Sequence, residues 1–322
     1  MSGLFLGIDT SNYKTSAAAV DGSGHPVFAK SEFLAVPAGR RGLRQSECFF
    51  RHSCVLPDYF DELVSAADVS SIRAVGVSSR PRRKEGSYMP CFLAGVNAAR
   101  EVSALLGVPL YQFSHQEGHA AAVIEDGGSD ECPEESILMH LSGGTTEFLI
   151  CRMDEQGYDT QIIGGTRDIS IGQLIDRAGV AIGHHFPAGQ YLDETACAYT
   201  GEPASVLPRV RVRDGYFNLS GPETRILRAL ENTPESDYPA IINELFILIS
   251  DILIESAKSL SAEYGIPRIY MAGGVSASTF IRNRIRNRIT PDSGIDLIFG
   301  DPALSGDNAV GTARLAKRIY TK

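Results

Sequence analysis

The chain has 322 residues, 43% hydrophobic and 21% charged, enough apolar material for two domain-sized cores and too much for a disordered polypeptide. Thirty Lys and Arg against 39 Asp and Glu give a formal charge of −9, which excludes a protein that coats nucleic acid by bulk positive charge and leaves room only for a local basic patch. The six cysteines, at 48, 54, 91, 132, 151 and 197, form no C-x-x-C pair, so reduced thiols are expected, and neither a zinc knuckle nor a disulfide scaffold. The first residues lack a basic stretch and meet an acid at Asp9, unlike a signal peptide. The longest apolar run, 241–254, is broken by Asn243, Glu244, Ser250 and Asp251 at near-helical spacing, which predicts a buried helix with one wet stripe. No membrane span and a cytoplasmic location are expected.

In chain order, strands are predicted at 4–9, 16–20 and 26–30, with the turn Asp21-Gly22-Ser23-Gly24 before the third. A helix over 57–67, a strand over 74–77, a helix over 93–106 and a strand over 108–113 follow. Ser114 then caps a helix carrying His115 and His119. An acidic glycine-containing stretch, 125–135, separates the halves. The second half opens like the first, with strands at 137–141, 147–152 and 159–163. Helices at 169–182, 239–264 and 276–288, strands at 268–271 and 297–299, and a last helix from about 307 complete the reading.

Each half therefore begins with a meander whose first turn is rich in Gly, Ser and Thr. The first is Asp9-Thr10-Ser11 through Lys14; the second is Leu141-Ser142-Gly143-Gly144-Thr145. A third turn, Gly273-Gly274, leads from a strand into a helix. Three such turns in this order resemble the actin–Hsp70–sugar-kinase (ASKHA) superfold, an α/β fold of two lobes with duplicated mixed sheets. The lobes are expected at 1–124 plus 306–322 and at 136–305, with nucleotide and metal in the cleft between them. Glycine lets backbone N–H groups close on phosphate oxygens, and Ser11 and Thr145 add hydroxyls.

His115 and His119 stand four apart, so a helix puts both imidazoles on one face, a natural metal chelate. Gly118 between them suggests a close approach. The intervening Glu117 is at the wrong offset for the His-Glu-x-x-His metalloprotease motif, so protease activity is not expected. His184 and His185 are adjacent and read as surface. Asp176 and Asp193 flank the Pro187-Ala188-Gly189 turn and read equally as helix surface acids or ribose contacts.

These segments, together with Asn218-Leu219-Ser220-Gly221 and Gly306-Asp307-Asn308-Ala309, resemble the TsaD family over nearly the whole chain. That family comprises the tRNA threonylcarbamoyladenosine-forming transferases, formerly the glycoprotease or O-sialoglycoprotein endopeptidase family. The resemblance implies metal ligands at His115, His119 and Asp307. His140 occupies the place of a tyrosine in archaeal members, and reads either as a fourth ligand or as a buried strand histidine. It implies nucleotide contacts at Ser142, Gly143, Gly144, Asp176, Gly189, Asp193 and Ser278. It further implies one divalent zinc or iron ion, ATP or an acyl-adenylate as substrate, tRNA as acceptor, and protein partners from the tRNA-modification machinery.

The departures concentrate at two loops. Asn12-Tyr13-Lys14 stands where the family has Cys and acids, and Ser79 to Gly86, with Arg80, Arg82, Arg83 and Lys84, replaces a glycine-rich loop. The basic run reads as a solvated loop or as an anion site, with Lys14 adding to the same positive spot. The expected function is a metal-dependent, adenine-nucleotide-binding carbamoyl-type transferase with Asp9 and Lys14 as catalytic candidates. Two rivals stand beside it: an ATPase or kinase-like enzyme in which Asp9 positions water or a hydroxyl, and a non-catalytic nucleotide-binding partner protein.

Overall fold

The structure, a computed structural model, describes residues 3–11, 14–35, 43–125, 133–304 and 309–322. The chain forms two compact units. The first is Met1–Glu134, Arg152–Thr160 and Gly306–Lys322; the second is Glu135–Cys151 and Gln161–Ser305. Residues 152–160 thus group with the first unit, whereas the sequence reading runs the second lobe unbroken from 136 to 305.

In the first unit, β1 (Leu4–Asp9), β2 (Lys14–Val20) and β3 (Pro26–Phe33) form an antiparallel meander. Helix α1 (Gln45–Ala66) leads to β4 (Ile72–Arg80), α2 (Phe92–Leu106) to β5 (Leu110–Ser114), and α3 (His115–Ile124) follows at once. The sheet order is β3-β2-β1-β4-β5, with β4 parallel to both β1 and β5. Residues 5–9 and 15–20 are buried without alternation, because helices cover both faces of the sheet.

The second unit carries β6 (Glu135–Leu141), β7 (Thr146–Met153), β8 (Tyr158–Thr166), β9 (Tyr216–Phe217), β10 (Arg268–Ala272) and β11 (Asp296–Phe299) in the order β11-β10-β6-β7-β8-β9. Its run β8-β7-β6-β10-β11 repeats the strand order of the first sheet. Helices α4 (Ile171–Ala181), α5 (Gly189–Ala198), α6 (Ser220–Glu231), α7 (Tyr238–Tyr264) and α8 (Thr279–Arg288) belong to this unit, and α9 (Val310–Thr321) returns to the first.

Three differences from the sequence reading have physical causes. Helix α1 begins twelve residues before Pro57, which was read as a helix start; Pro57 instead sits on the exposed face, where the lost hydrogen bond meets water. Helices α5 and α6 have no counterpart in the sequence reading, because Pro187 and Gly189 at one start and Gly221 and Pro222 at the other are helix breakers. The expected wet stripe of α7 is buried at three of its four positions. Asn243 donates to Ala196 O at 3.1 Å, Glu244 accepts the N–H groups of Val206 and Leu207 at 2.9 Å each, and Ser250 donates to Phe246 O at 2.7 Å. Asn243 and Glu244 thus fasten neighbouring segments to the core helix, while Ser250 bonds back onto its own preceding turn. Among the described residues, no helix is long and apolar enough to cross a membrane.

Helix α3 crosses α9 at backbone distance. A β-carbon on Gly311 would stand 1.9 Å from Gly118 O and 2.6 Å from Ala122 N. Arg314 of α9 is 2% exposed and donates from Nη1 to Ala122 O at 2.7 Å and from Nε to Gly24 O at 3.0 Å. The close approach that Gly118 signals is therefore the packing of α9, not a ligand. Gly311→Ala should force the helices apart at a cost of about 1–3 kcal/mol, read as a lower denaturant midpoint.

Glu125 closes α3, and burial pushes its carboxyl up to about 7 against the pull of Arg318, 3.6 Å away, and of the Tyr158 hydroxyl at 3.3 Å. A raised carboxyl stabilises the fold fully below its unfolded value, ~4.3, and loses that contribution as pH climbs towards 7. Unfolding titrations at pH 4.5 and 7 should show Glu125→Gln losing less stability than the parent, by on the order of 3 kcal/mol at most. Equal losses in both proteins would contradict burial as the cause.

Candidate active site

Helix α3 starts with a complete capping box. Ser114 Oγ accepts the Glu117 N–H at 3.3 Å, and Glu117 Oε2 accepts the Ser114 N–H at 2.7 Å. Glu117 is 1% exposed, and burial raises its carboxyl above the ordinary value; the Ser114 bonds and the charge of Arg83 pull it back down. Its role is to fix the helix start, consistent with the rejected protease motif.

The cap sets His115 and His119 one turn apart, their rings 4.4 Å between centroids and Nε2 to Nε2 at 3.0 Å. The other face of His115 is held from the end of β1. Asp9, 1% exposed, accepts from His115 Nδ1 at 2.7 Å through Oδ2 and from the Ser11 N–H at 2.9 Å through Oδ1. A carboxylate on Nδ1 keeps the proton there and leaves the Nε2 lone pair facing His119. Two imidazole nitrogens directed at one point, one of them backed by a carboxylate, are the donor set that zinc or ferrous iron takes. Ligands on one ion at ~2.0–2.1 Å lie roughly 3.0–3.4 Å apart, so the observed separation fits.

The described residues contain no group of three or more His, Cys, Asp or Glu arranged to hold a metal. Asp307 lies outside the described residues. His140, on β6 of the second unit, is 8% exposed and pairs with Ala272 of β10. Of the four expected ligands, the first unit therefore brings together His115 and His119. Ser11 Oγ, beside Asp9, is buried and has no hydrogen-bond partner among the described residues. Lys14, read as catalytic, opens β2 opposite Phe33 and holds its Nζ 5.0 Å from that ring's centroid. Asn12 and Tyr13 lie outside the described residues.

The basic loop is differently used than a free anion site requires. Arg83 pairs with Asp154 at 2.8 Å, donates to Gln156 Oε1 at 3.1 Å and lies 4.0 Å from Glu117. The Asp154 bond raises its guanidinium above the ordinary value. With Thr160 donating to Gln116 at 3.0 Å, these contacts bind residues 152–160 to the start of α3. Arg82 and Lys84 remain exposed.

In the second unit, Leu141 ends β6 and the turn Ser142–Thr145 follows. It is closed by Ser142 N–H to Thr145 O at 2.8 Å and Thr145 N–H to Ser142 Oγ at 3.0 Å. Helix α4 buttresses it: Ser170 donates to Gly143 O at 2.6 Å, and Gly172 passes so close that its β-carbon would stand 2.5 Å from Gly143 Cα. Gly273, at φ +95°, lies against the Leu141 carbonyl from the neighbouring strand, so the second and third glycine turns adjoin. Side chains at Gly143, Gly144 and Gly274 would meet nothing within 4 Å. The glycines that shape the cradle are Gly172 and Gly273; those that line it are bare.

Asp176 accepts the Ala188 N–H at 2.9 Å, beside Gly189, and burial raises its carboxyl. Asp193 joins Ser278: its carboxylate takes the Ser278 hydroxyl and the N–H groups of Thr279 at 2.8 Å and Phe280 at 3.1 Å. Both oxygens thus cap α8, a role that spacing could not show. His184 stacks on Tyr191 with 4.1 Å between ring centroids, while His185 is exposed. Asn218–Gly221 is tied down by Asp168, which accepts the Leu219 and Ser220 N–H groups at 2.9 Å. Sequence reading missed the carboxylate–imidazole bond itself, because Asp9 and His115 are 106 residues apart.

Repeated mixed sheets with glycine turns at equivalent strand ends define an ASKHA-fold protein. The structure matches component A of (R)-2-hydroxyglutaryl-CoA dehydratase from Acidaminococcus fermentans with a TM-score of 0.57 at 12% identity, covering 100% of both chains. It matches the ROK family glucokinase of Streptomyces griseus with a TM-score of 0.52 at 14% identity, covering 98% of this chain and 100% of that one. The chain belongs to the TsaD family, tRNA N6-adenosine threonylcarbamoyltransferase, whose profile matches residues 44–314. The tRNA N6-adenosine threonylcarbamoyltransferase of Geobacillus thermodenitrificans (strain NG80-2) is 28% identical over 98% of this chain and 91% of its own. The chain is a transferase of that family.

Because Asp193 fixes the first turn of α8, Asp193→Ala should cost about 1–2 kcal/mol of stability. Gly144→Val, placed in open space, should leave the unfolding midpoint within about 0.5 kcal/mol of the parent.

Proposed function

We propose that this protein transfers threonylcarbamoyl from its adenylate to N6 of an adenosine in tRNA. The observation that carries the reading is the meeting of Asp9, at the end of β1, with His115 and His119 of α3, in a chain that the family matches across 44–314. The N6 amine attacks the carbamoyl carbon, the bond from that carbon to the phosphate oxygen breaks, AMP leaves, and the amine proton passes to solvent. His115 and His119, with Asp307 and His140, would hold one zinc or iron ion. When bound, that ion supplies Lewis-acid polarisation of a phosphoryl or carbamoyl oxygen.

The chain's own groups do the rest. Asp9 orients His115 and raises the basicity of its Nε2, acting through the imidazole as a positioning residue. In the second unit the N–H groups of Gly143 and Gly144 bind the phosphate of ATP or the acyl-adenylate, presented by the turn that Ser142 and Thr145 close; in the first unit the Ser11 hydroxyl is the candidate nucleotide contact. Leu141, Gly273 and Gly274 back the nucleoside and Gly189 lines it, while Asp176, through the Ala188 N–H, and the Asp193–Ser278 pair, through the start of α8, hold that wall in shape. Such a protein works in the cytoplasm beside the proteins that make the adenylate. Lys14 and the basic loop differ from the family pattern, so the acceptor is the part most open to change.

The test is reconstitution with bicarbonate, threonine, ATP, tRNA and the adenylate-forming proteins, read as modified adenosine by nucleoside mass spectrometry. ATP hydrolysis that needs no tRNA and leaves adenosine unmodified would overturn the transfer. His115→Ala should abolish both product and bound metal. Asp9→Asn should retain the fold while weakening zinc retention by 10–100-fold, measured by competition with a chelator. Gly144→Val should weaken ATP binding at least tenfold with its stability unchanged, since a side chain would then cover the phosphate cradle.

A further inference from the structure

Helix α8 carries Arg282, Arg284, Arg286 and Arg288 within ten residues and no acid, in a chain whose formal charge is −9. Like charges four apart, as in 282/286 and 284/288, weaken a helix, so the pattern is not one that helix formation alone favours. Helical spacing sorts the residues cleanly. Ile281 and Ile285 are buried, and Asn283 and Asn287 are exposed on the opposite side. Arg282 and Arg286 run along one edge of that exposed ridge; Arg284 and Arg288 run along the other.

The arginines are not equally committed. Arg284 pairs with Asp251 at 2.9 Å. Arg282 donates to Ser276 O and Gly300 O, and so ties the helix to the third glycine turn. Arg286 is exposed, with its guanidinium 5.1 Å from the Phe299 ring centroid, the same distance as Arg282. One ring thus holds two cations, and the neighbouring acid Asp296 is already paired with Arg268 at 2.7 Å. Arg288 is exposed at the end of the helix.

We propose that the exposed face of α8 is a docking strip for the phosphate backbone of structured RNA, with Arg286 and Arg288 as its principal contacts. This rests on the tRNA reading above and deepens it. The helix starts at Ser278, directly after the Gly273–Gly274 turn, and its ten residues extend ~15 Å. That length spans several successive phosphates of a helical strand. Two arginine edges about a neutral amide ridge suit the two phosphate lines that border an RNA minor groove, where recognition is by shape, phosphate and 2′-hydroxyl. Arginine, with its bidentate fork, fits phosphate better than lysine.

The experiment uses the full chain and unmodified tRNA. Arg286→Ala with Arg288→Ala, both exposed positions, is compared with the parent for tRNA affinity between 50 and 200 mM salt, for ATP affinity and for transfer. The expected result is at least fivefold weaker tRNA binding at the low-salt end, with the log–log salt slope reduced by about 1 to 2. ATP affinity should be unchanged, and Arg286→Lys with Arg288→Lys should restore most of the slope. Unchanged tRNA affinity and slope in the alanine variant, with the parent binding and modifying tRNA, would overturn the strip and leave the tRNA reading intact. Loss of transfer with tRNA affinity unchanged would assign α8 to a protein partner and also overturn it. A parent that neither binds nor modifies tRNA would overturn both.

Discussion

The first unit depends on one close crossing, that of α3 over α9 through Gly118 and Gly311. Only a residue without a side chain at 311 leaves room for the Gly118 carbonyl, and a β-carbon on Gly118 would press on Thr312 Oγ1 at 3.0 Å. The crossing holds α3 rigidly against the sheet while its first turn is fixed by Ser114 and Glu117. With both ends settled, His115 has one place to go, and Asp9 at the end of β1 meets it at 2.7 Å. The chemistry of the pair follows from packing that contains no chemistry of its own. A helix free to slide by one residue would carry both imidazoles away from the carboxylate.

The second unit is organised on the same logic with different parts. Its glycine turns are shaped by close contact at Gly172 and Gly273 and left open at Gly143, Gly144 and Gly274. Close contact sets the curvature of the backbone, and openness leaves N–H groups able to meet an anion. Asp193 and Ser278, expected to face a ribose, are joined at the start of α8, which makes the helix an extension of the turn. That helix sets four arginines and no acid in ten residues of a chain whose formal charge is −9.

Much of this was legible in the sequence, and what was not has a common cause. The strand meanders, the turn glycines and the Ser114 cap are local signals, and they are found within a few residues of where the patterns put them. The β1 strand at 4–9 agrees residue for residue with the periodicity. Helix α1 was placed late because Pro57 mimics a helix start, and α5 and α6 were hidden by prolines and glycines at their first turns. Gly118 was legible as a close approach, yet its partner, α9, was not. The stripe on α7 looked wet because polarity alone cannot distinguish a side chain facing water from one bonded to a distant backbone. The Asp9–His115 bond and the Arg83–Asp154 pair join segments far apart in the chain, and no periodicity encodes such meetings. Asp307, which the resemblance gives as a ligand, lies outside the described residues.

The proposed metal site joins His115 and His119 on one ion, with Asp9 behind them. X-ray absorption at the zinc edge of protein loaded with a single equivalent of zinc tests this most directly. A shared ion should give a nitrogen and oxygen shell at ~2.0–2.1 Å with outer-shell scattering from at least two imidazoles, reduced by one in His119→Ala. A spectrum without imidazole scattering, or one that is identical in His119→Ala, would contradict it.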